Sequence, residues 1–364
     1  MENKLRSWLV NIILFSFIIL FAASSNNSLG GVSEQPSGEA SLTQTQLEKS
    51  TSSIKETSPG KKTKKEFCNA VNQRFMQFGW HKIICDPNRW KIFKYSSKGN
   101  PLVYQEFGFD EPDNKGAINL VLCGVHGDEP TGIYPCFYLV RDILFDNPQV
   151  LKDFRVIIAP IVNPDGFFAH TRQNANGVDP NRNLPTKDWS FLAQKTWLDD
   201  EQKDPRKYPG ERGGSEAESE LQTYLITKYK PDKIFSIHAP LGFLDFDGPG
   251  KQKHLNLNRI ENRAKYLVLN IEANIHKFLQ LKNYRVFPGS LGNYAGKERN
   301  IPTYTVEFQT TDPSNAHYYW SVLRFALVKA LSFTIYDEED GDHPLKVQHI
   351  LEQEKFTESK AKPM

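Results

Sequence analysis

The chain alternates between two patterns of apolar and polar positions after Pro101. Short apolar runs bounded by turn residues are typical of strands, whereas apolar residues three and four positions apart are typical of helices that face a core. Strands are predicted at residues 103–109, 118–125, 155–162, 233–238, 284–287 and 303–309, and helices at 132–144, 215–229, 260–281 and 318–336. This alternation predicts an α/β domain in which helices cover both faces of a sheet.

The first 25 residues have the pattern of an export signal. Lys4 and Arg6 precede the apolar run 8–23, and small residues follow it, as in a signal peptide. The run is somewhat short for a membrane span, so cleavage near residues 23–25 is expected, with an uncleaved N-terminal anchor as the alternative. Export predicts a periplasmic or secreted protein, which would contact a membrane only if this segment stays uncleaved.

Polar segments lie on both sides of the predicted domain. Residues 26–66 contain almost no large apolar side chain and are predicted to form a disordered linker, because such a segment cannot bury enough surface to fold. Residues 67–100 are predicted to be an N-terminal extension, residues 101–337 the domain itself, and residues 338–364 a polar tail.

Charge and cysteine content narrow the possible partners and metal sites. A net charge of +2 over 364 residues gives no reason to expect a nucleic acid as partner. The four cysteines include no CxxC, so a cysteine zinc site is not expected. Cys68 and Cys85 flank a short segment, where export makes a disulfide possible. Cys123 lies in a predicted strand and Cys136 in the next helix, so both are expected to be buried thiols.

The first candidate chemistry is in GVHGDEPTG, residues 124–132, directly after the apolar run 117–123. Polar residues at the end of a buried strand are where α/β proteins usually bind ligands. His126 and Glu129 could instead serve structure alone, the histidine in a turn and the glutamate at a helix N-terminus, where its charge suits the helix dipole. The neighbouring glycines allow a tight turn, which would let both side chains face one metal ion.

Three further stretches share this position at or just past the end of a predicted strand. They are VNPDGFFAHTRQNANGVDPNRNLP (162–185), SIHAPLG (236–242) and TYTVEFQT (303–310), and they supply Arg172, Asn181, Arg182, His238 and Glu307. Each has a plain alternative alone, namely a core histidine, half of a salt bridge or a long turn. Jointly, two histidines and a glutamate make a three-ligand zinc site with an open position. A further carboxylate can move protons, and two arginines suit an oxyanion and a substrate carboxylate.

This set of residues, in this order, resembles the zinc carboxypeptidases of the carboxypeptidase A type over roughly residues 101–336. The family pattern is HxxE, then an arginine ahead of an Asn-Arg pair, then a distant histidine, then a glutamate on a late strand. The resemblance implies a single α/β domain with a mixed, roughly eight-stranded sheet flanked by helices.

The resemblance also implies the catalytic groups. It implies that His126, Glu129 and His238 bind one zinc ion per chain. It implies that zinc-bound water is the nucleophile and that Glu307 is the general base and acid.

The remaining roles implied by the resemblance concern the substrate. Arg172 would stabilise the oxyanion, and Asn181 with Arg182 would bind the carboxylate of the residue being released. Tyr284 is similar to the mobile tyrosine of the family. Leu291 falls near the position that sets side-chain preference, and the absence of an acid there argues against a carboxypeptidase for basic residues.

Within the family, GVHGDEPTG, SIHAPLG and PGSLGNY are most similar to the bacterial murein peptide amidases, which cut cell-wall peptides between γ-D-glutamate and meso-diaminopimelate. The chain departs from the family pattern at Pro180, at Leu184 and at residues 308–309, which concern the surroundings of the site. Asp245 and Asp247, in GFLDFDGPG, could bind the second amine of diaminopimelate, although a solvated loop is the favoured interpretation.

The sequence therefore favours an exported zinc peptidase that hydrolyses the γ-D-glutamyl–meso-diaminopimelate bond of peptidoglycan peptides. One alternative is an exported metallocarboxypeptidase that removes C-terminal residues from ordinary peptides. A small-molecule deacylase fits less well, because the Asn-Arg-Asn stretch and the late glutamate match the peptidases better. A wall-binding pseudo-peptidase without turnover is the non-enzymatic alternative, although every chemical role is filled.

Overall fold

The structure is a computed structural model, and it describes residues 60–81, 85–109, 116–145, 148–152, 154–248, 255–275 and 278–335. The predicted signal or anchor, most of the predicted linker and the predicted polar tail lie outside these described residues. Within the described part of the chain, every helix is too short or too polar to cross a membrane.

A mixed sheet of eight strands forms the centre of the described residues, as the resemblance implied. The strands lie side by side in the order β1-β2-β4-β3-β5-β8-β6-β7. The four strands β4, β3, β5 and β8 run parallel, and the outer pairs β1–β2, β2–β4 and β8–β6 are antiparallel. The bounds are β1 Lys91–Tyr95, β2 Pro101–Phe107, β3 Ala117–Cys123, β4 Phe154–Ala159, β5 Lys233–His238, β6 Phe243–Phe246, β7 Gln280–Lys282 and β8 Thr303–Glu307.

Helices lie against both faces of this sheet. Their bounds are α1 Lys64–Gln77, α2 Pro130–Tyr138, α3 Pro164–Ala169, α4 Gln194–Asp199, α5 Ala217–Tyr229, α6 Leu255–Asn274 and α7 Ala316–Ser332. Short 3-10 helices cover Pro148–Lys152, Pro205–Lys207 and Pro313–Asn315, and π-helical turns cover Leu139–Phe145, Trp189–Ala193 and Gly292–Lys297. The four predicted long helices are all present, with ends that differ by up to seven residues from the predicted ones, and residues 280–281 at the end of the predicted helix 260–281 belong to β7 instead.

The central strands are apolar on both faces because two separate cores cover them. Along β3, Val121 and Cys123 belong to one core while Leu120 and Leu122 belong to the other, as the alternation of a strand requires. Strands buried on both faces read as continuous apolar runs, which is why β3 and β5 were predictable. Since β3, β5 and β8 are parallel neighbours, their carboxyl ends meet at one edge of the sheet.

The predicted strand at residues 284–287 is wrong. These residues follow the short strand β7 and have no regular secondary structure. Strands β1, β6 and β7 were not predicted. None has an apolar run long enough to be recognised, because β1 carries lysines at an edge of the sheet, β6 spans only four residues and β7 spans only three.

The predicted N-terminal extension is part of the folded domain. Helix α1 begins at Lys64, inside the segment predicted as linker, and Thr63 and Glu66 form a capping box at its start. Phe67, Val71 and Phe75 are spaced four residues apart and pack into the larger core. The extension therefore contributes to the same core as the central sheet, and β1 adds an edge strand.

The cysteines form two disulfides in the described residues, one of them unexpected. Cys68 and Cys85 are bonded, which the sequence had left open. Cys123 and Cys136 are also bonded, so the prediction that they are buried thiols is wrong. The chain turns back after β3, and this brings α2 against the strand with the two Cα atoms 6.2 Å apart. Local sequence patterns do not show that approach.

Candidate active site

The loop between β3 and α2 positions His126 and Glu129. Glycine is required at residue 127, because a Cβ atom there would lie 1.9 Å from the carbonyl carbon of Gly166. This close approach packs the loop against the backbone of α3. Glu129 directly precedes Pro130, the first residue of α2. Both His126 and Glu129 are consequently buried beneath the cavity that they line.

His126, Glu129 and His238 converge on one point. Nδ1 of His126 lies 2.8 Å from Oε1 of Glu129, and Nδ1 of His238 lies 2.9 Å from Oε2. The two Nδ1 atoms are 3.1 Å apart, and one ligand atom from each residue falls within 4.8 Å of the others. Two imidazole nitrogens and a carboxylate are donors that suit zinc, so the three residues fit the ion that the sequence predicted.

The far side of each imidazole is held by a polar side chain that sequence reasoning missed. Nε2 of His126 lies 3.2 Å from Asp179, and Nε2 of His238 lies 2.8 Å from Ser236. Such contacts fix the ring orientation and direct Nδ1 toward the metal position. Ser236 lies two residues before His238, so both side chains leave the same face of β5.

Asp179 is fully buried and connects several parts of the site. It accepts hydrogen bonds from Nε of Arg172 at 2.9 Å and from the backbone N of Asn181 at 2.8 Å. Burial alone would raise the pKa of Asp179, but the charges of Arg172 and His126 hold it well below its usual range. Asp179 was visible in RQNANGVDPNRN, but nothing local distinguished it from the other turn residues.

Arg172 lies beside the metal-ligand set. Its Nη1 is 3.2 Å from Nδ1 of His126 and 3.5 Å from Oε1 of Glu129. Burial would lower the pKa of the guanidinium, but Asp179 and Glu129 raise it above its ordinary value, so the group stays charged. A charged donor in this position suits the oxyanion role that the resemblance implied.

Glu307 ends β8 next to His238 at the end of β5, because the two residues are partners in the parallel register. Its carboxylate lines the same cavity and accepts a hydrogen bond of 3.4 Å from the backbone N of Leu241. Burial raises the pKa of Glu307 to about 7, against the lowering effect of His238. A carboxyl group with such a pKa can both take and return a proton near neutral pH. A bound divalent cation would lower the value.

Asn181 and Arg182 line the same cavity as Glu307. The Oδ1 atom of Asn181 accepts a hydrogen bond of 2.8 Å from the backbone N of Leu291, which leaves its amide N–H groups as donors for a ligand. The guanidinium of Arg182 is buried, stacks on Phe287 at 4.0 Å from the ring centre, and pairs with Glu201. Sequence reasoning did not identify Glu201.

Tyr284 lies in the loop after β7, and 45% of it is exposed. Its ring centre is 5.1 Å from that of Phe243, and its backbone N donates a hydrogen bond of 3.0 Å to Asp245. Tyr284 lines the same cavity. The structure therefore places it among the other predicted site residues, and its role as the mobile tyrosine stays a prediction.

One cavity of about 250 Å³ contains the whole constellation. All eight residues predicted for the site line it: His126, Glu129, Arg172, Asn181, Arg182, His238, Tyr284 and Glu307. Leu291, near the predicted position for side-chain preference, lines it as well.

Asp245 and Asp247 also line this cavity, so the favoured interpretation of GFLDFDGPG as a solvated loop is wrong. Asp245 lies on β6 and is buried. Burial raises the pKa of Asp245, and burial together with the charge of Asp245 raises the pKa of Asp247 to about 7. Asp247 packs against Gly292, where a Cβ atom would lie 2.3 Å from its carboxyl carbon. Asp245 pairs with Thr305 of β8, and just past β6 the backbone N of Asp247 donates a hydrogen bond of 2.9 Å to the carbonyl of Thr303.

Comparison with known proteins identifies a matching family and relatives that align with part of the chain. The zinc carboxypeptidase family model matches residues 86–312. Murein peptide amidase A of Escherichia coli strain K12 is 32% identical over 149 residues, which cover 40% of this chain and 57% of that protein. Murein peptide amidase A of Vibrio campbellii is 29% identical over 211 residues, which cover 57% of this chain and 75% of that protein.

A solved structure agrees in fold. Bovine thrombin-activatable fibrinolysis inhibitor, in complex with tick carboxypeptidase inhibitor, superposes with a TM-score of 0.54 at 18% identity. The match covers 75% of this chain and 96% of that chain. At this identity the likeness supports the shared α/β fold alone.

Proposed function

Because the chain belongs to the zinc carboxypeptidase family, we propose that it is a peptidase that hydrolyses the peptides of peptidoglycan. Membership of this family indicates a zinc-dependent peptide-bond hydrolase, with His126, Glu129 and His238 as the metal site. The proposal for the substrate is supported by the similarity to proteins named murein peptide amidase A. The observation that carries it is the single cavity in which metal ligands, a carboxylate with a raised pKa and two arginines meet.

Each of the residues around the cavity has a separate role in the proposed reaction. Asn181 and Arg182 bind the carboxylate of the residue to be released and so place the scissile bond near Glu307. Arg172 donates hydrogen bonds to the oxygen on which negative charge develops. Glu307 takes a proton from the attacking water and passes it to the leaving amine. Zinc, when bound, supplies the Lewis acidity that polarises a carbonyl and lowers the pKa of water.

We further propose that the bond cleaved joins γ-D-glutamate to meso-diaminopimelate. Diaminopimelate carries a second ammonium and a second carboxylate on its side chain, so its pocket must be polar. Asp245 and Asp247 line the cavity and supply two carboxylates. A carboxylate facing an ammonium makes a charge-assisted hydrogen bond, which is stronger than a neutral one.

An ordinary carboxypeptidase is the second candidate, and a specific observation favours it. Phe243 and Leu291 line the cavity next to the two acids, so part of its surface is apolar. Such a surface suits the side chain of an ordinary C-terminal residue.

We also propose that the protein acts outside the cytoplasm. The export pattern of the first 25 residues is the main support, and the disulfides Cys68–Cys85 and Cys123–Cys136 suit an oxidising compartment. N-terminal sequencing of protein recovered from the periplasm of a Gram-negative host should find a chain shortened by 23–25 residues. Full-length protein found only in the membrane fraction would favour the anchor.

Mass spectrometry of defined peptides tests the proposed substrate. Incubation with the tripeptide L-Ala-γ-D-Glu-meso-diaminopimelate should release free diaminopimelate, and chelation of the metal should stop the release. The matched comparison is the same tripeptide with L-lysine in place of diaminopimelate, which keeps the second amine and lacks the second carboxylate. If both tripeptides survive while an ordinary peptide is shortened from its C-terminus, the second candidate replaces the first.

A further inference from the structure

One segment next to the cavity contacts three separate parts of the site. We call residues 200–208, which follow α4, the rim segment. Arg206 pairs at 2.7 Å with Asp128 of the metal loop, which joins β3 to α2. Asp200 pairs at 2.7 Å with Arg285 of the Tyr284 loop, which follows β7. Between them, Glu201 pairs with Arg182 at 2.8 Å. The backbone carbonyl of Tyr208 also accepts a hydrogen bond of 2.8 Å from the N of Asp179.

The three ion pairs differ in burial. The side chains of Asp200 and Arg285 are 49% and 53% exposed, so solvent weakens their attraction, and exposed pairs of this kind contribute little. The side chains of Glu201 and Arg182 are only 4% and 9% exposed. A buried charge that loses its partner is strongly disfavoured, so this pair has the larger influence on the geometry of the cavity.

The contacts of Arg182 determine which of its N–H groups can reach a ligand. A guanidinium has five N–H groups in one plane. Glu201 accepts from Nε at 3.3 Å and from Nη2 at 2.8 Å, and the carbonyl of Asn181 accepts from Nη1 at 3.0 Å. One N–H therefore remains on each of the terminal nitrogens Nη1 and Nη2. Phe287 covers a face of the same group.

We propose that Glu201 is a positioning residue, which holds the guanidinium of Arg182 so that its terminal nitrogens face the carboxylate of the substrate. This inference rests on the proposed function, in which Arg182 binds that carboxylate. Glu201 acts through Arg182 alone and does not contact the substrate. An arginine held in a fixed plane loses less freedom when it binds a carboxylate, so the pairing favours binding.

The contact between Glu201 and Arg182 also has an opposite interpretation, which predicts that KM changes in the opposite direction when Glu201 is removed. If Glu201 occupied the position of the substrate carboxylate, it would compete with substrate, and its removal would lower KM. The contact with the Nε–Nη2 edge argues for positioning, because it leaves an N–H on each terminal nitrogen. Lys207, whose Nζ lies 4.0 Å from Oε1 of Glu201, further holds this carboxylate in place.

Steady-state kinetics of Glu201→Gln on the tripeptide that the wild type cleaves test the proposal. We expect KM to rise about tenfold or more, because the lost ion pair frees the guanidinium, while kcat stays within about twofold. Glu201→Asp should recover part of the loss, since it restores the charge. The matched control is Asp199→Asn, which removes an exposed acid two residues away, and its KM should not change.

A double-mutant cycle separates positioning from general damage. If Glu201 acts only through Arg182, then adding Glu201→Gln to Arg182→Ala should not raise KM further. Zinc content and melting temperature of each variant show whether it is folded, and if Glu201→Gln does not fold, Glu201→Asp is measured in its place.

Two results would overturn the inference, and they are distinguishable from each other. An unchanged or lowered KM in a folded Glu201→Gln variant, with an active wild type, removes the positioning role and leaves the proposed function intact. A wild type that releases no C-terminal residue from any peptide removes the proposed function and this inference with it.

Discussion

Two groups of residues at the cavity, which we call the metal end and the substrate end, are built in different ways. The metal end uses His126, Glu129, His238 and Glu307, which lie at or just after the ends of the parallel strands β3, β5 and β8. The substrate end uses loops and an edge strand, namely the Asn181 and Arg182 turn, the Tyr284 loop, the rim segment and β6. The comparison teaches that chemistry lies on the rigid centre of the sheet, whereas selection of substrate lies on segments that only long-range contacts hold in place.

The largest expected effect is at the metal end. Glu307→Gln should lower kcat by roughly 10²–10⁴-fold, because the general base is lost. Zinc content and KM should stay near those of the wild type, because Glu307 is not among the metal ligands. Elemental analysis and steady-state kinetics check both. Near wild-type turnover in this variant would falsify the assignment of the base.

The disulfide Cys123–Cys136 should stabilise the metal end. It joins the end of β3 to α2 and so encloses the loop that carries His126 and Glu129. A variant that carries both Cys123→Ser and Cys136→Ser should lose about 3 kcal/mol of unfolding free energy, because the unfolded chain gains freedom when a loop of this length is no longer closed. It should also bind zinc more weakly, as measured by competition with a chelator. The control is the same change at Cys68 and Cys85, which should lower stability but leave zinc affinity unchanged. Equal zinc affinity in both variants would contradict the role in the metal loop.

Asp179 links the two ends, since its carboxylate contacts His126 and accepts a hydrogen bond from the backbone N of Asn181. Asp179→Asn should weaken zinc binding by roughly 10–100-fold, because it removes the charge that orients the histidine. The matched comparison is Asp165→Asn, a buried acid whose carboxylate accepts from Ser96 and Asn100, away from the metal ligands. If the two variants bind zinc equally well, Asp179 does not act through His126.

The smallest expected effect is at the substrate end and depends on pH. The pKa of Asp247 is raised to about 7, so its carboxylate forms as the pH rises through that value. The substrate amine stays protonated in this range, so KM for the diaminopimelate tripeptide should fall as the pH rises through about 7. Asp247→Asn should raise KM about tenfold above that pH and remove this dependence. A tripeptide ending in L-alanine serves as the control, because it lacks the second amine. The same pH dependence of KM with that peptide would show that Asp247 is not responsible.

The sequence by itself determined the metal end. Strands buried on both faces appear as continuous apolar runs, and polar residues that follow such runs must gather where parallel strands end. His126, Glu129, His238 and Glu307 could be found for this reason, and the resemblance added roles for Arg172, Asn181 and Arg182. The α/β class and the four long helices followed from the same periodicity.

Only the tertiary structure decided the rest. The Cys123–Cys136 bond, the pairing of Glu201 with Arg182, and the inward direction of Asp245 all depend on contacts between segments with no local signal for each other. Residues 284–287 look like a strand but form a loop, and the short strand β7 just before them occupies the edge of the sheet beside β6. A periodic pattern is a local property that buried strands and helices display along the chain. The partner of a side chain across a turn or a sheet edge is set by the fold as a whole, so the contacts that hold the substrate end together could not be read from the sequence.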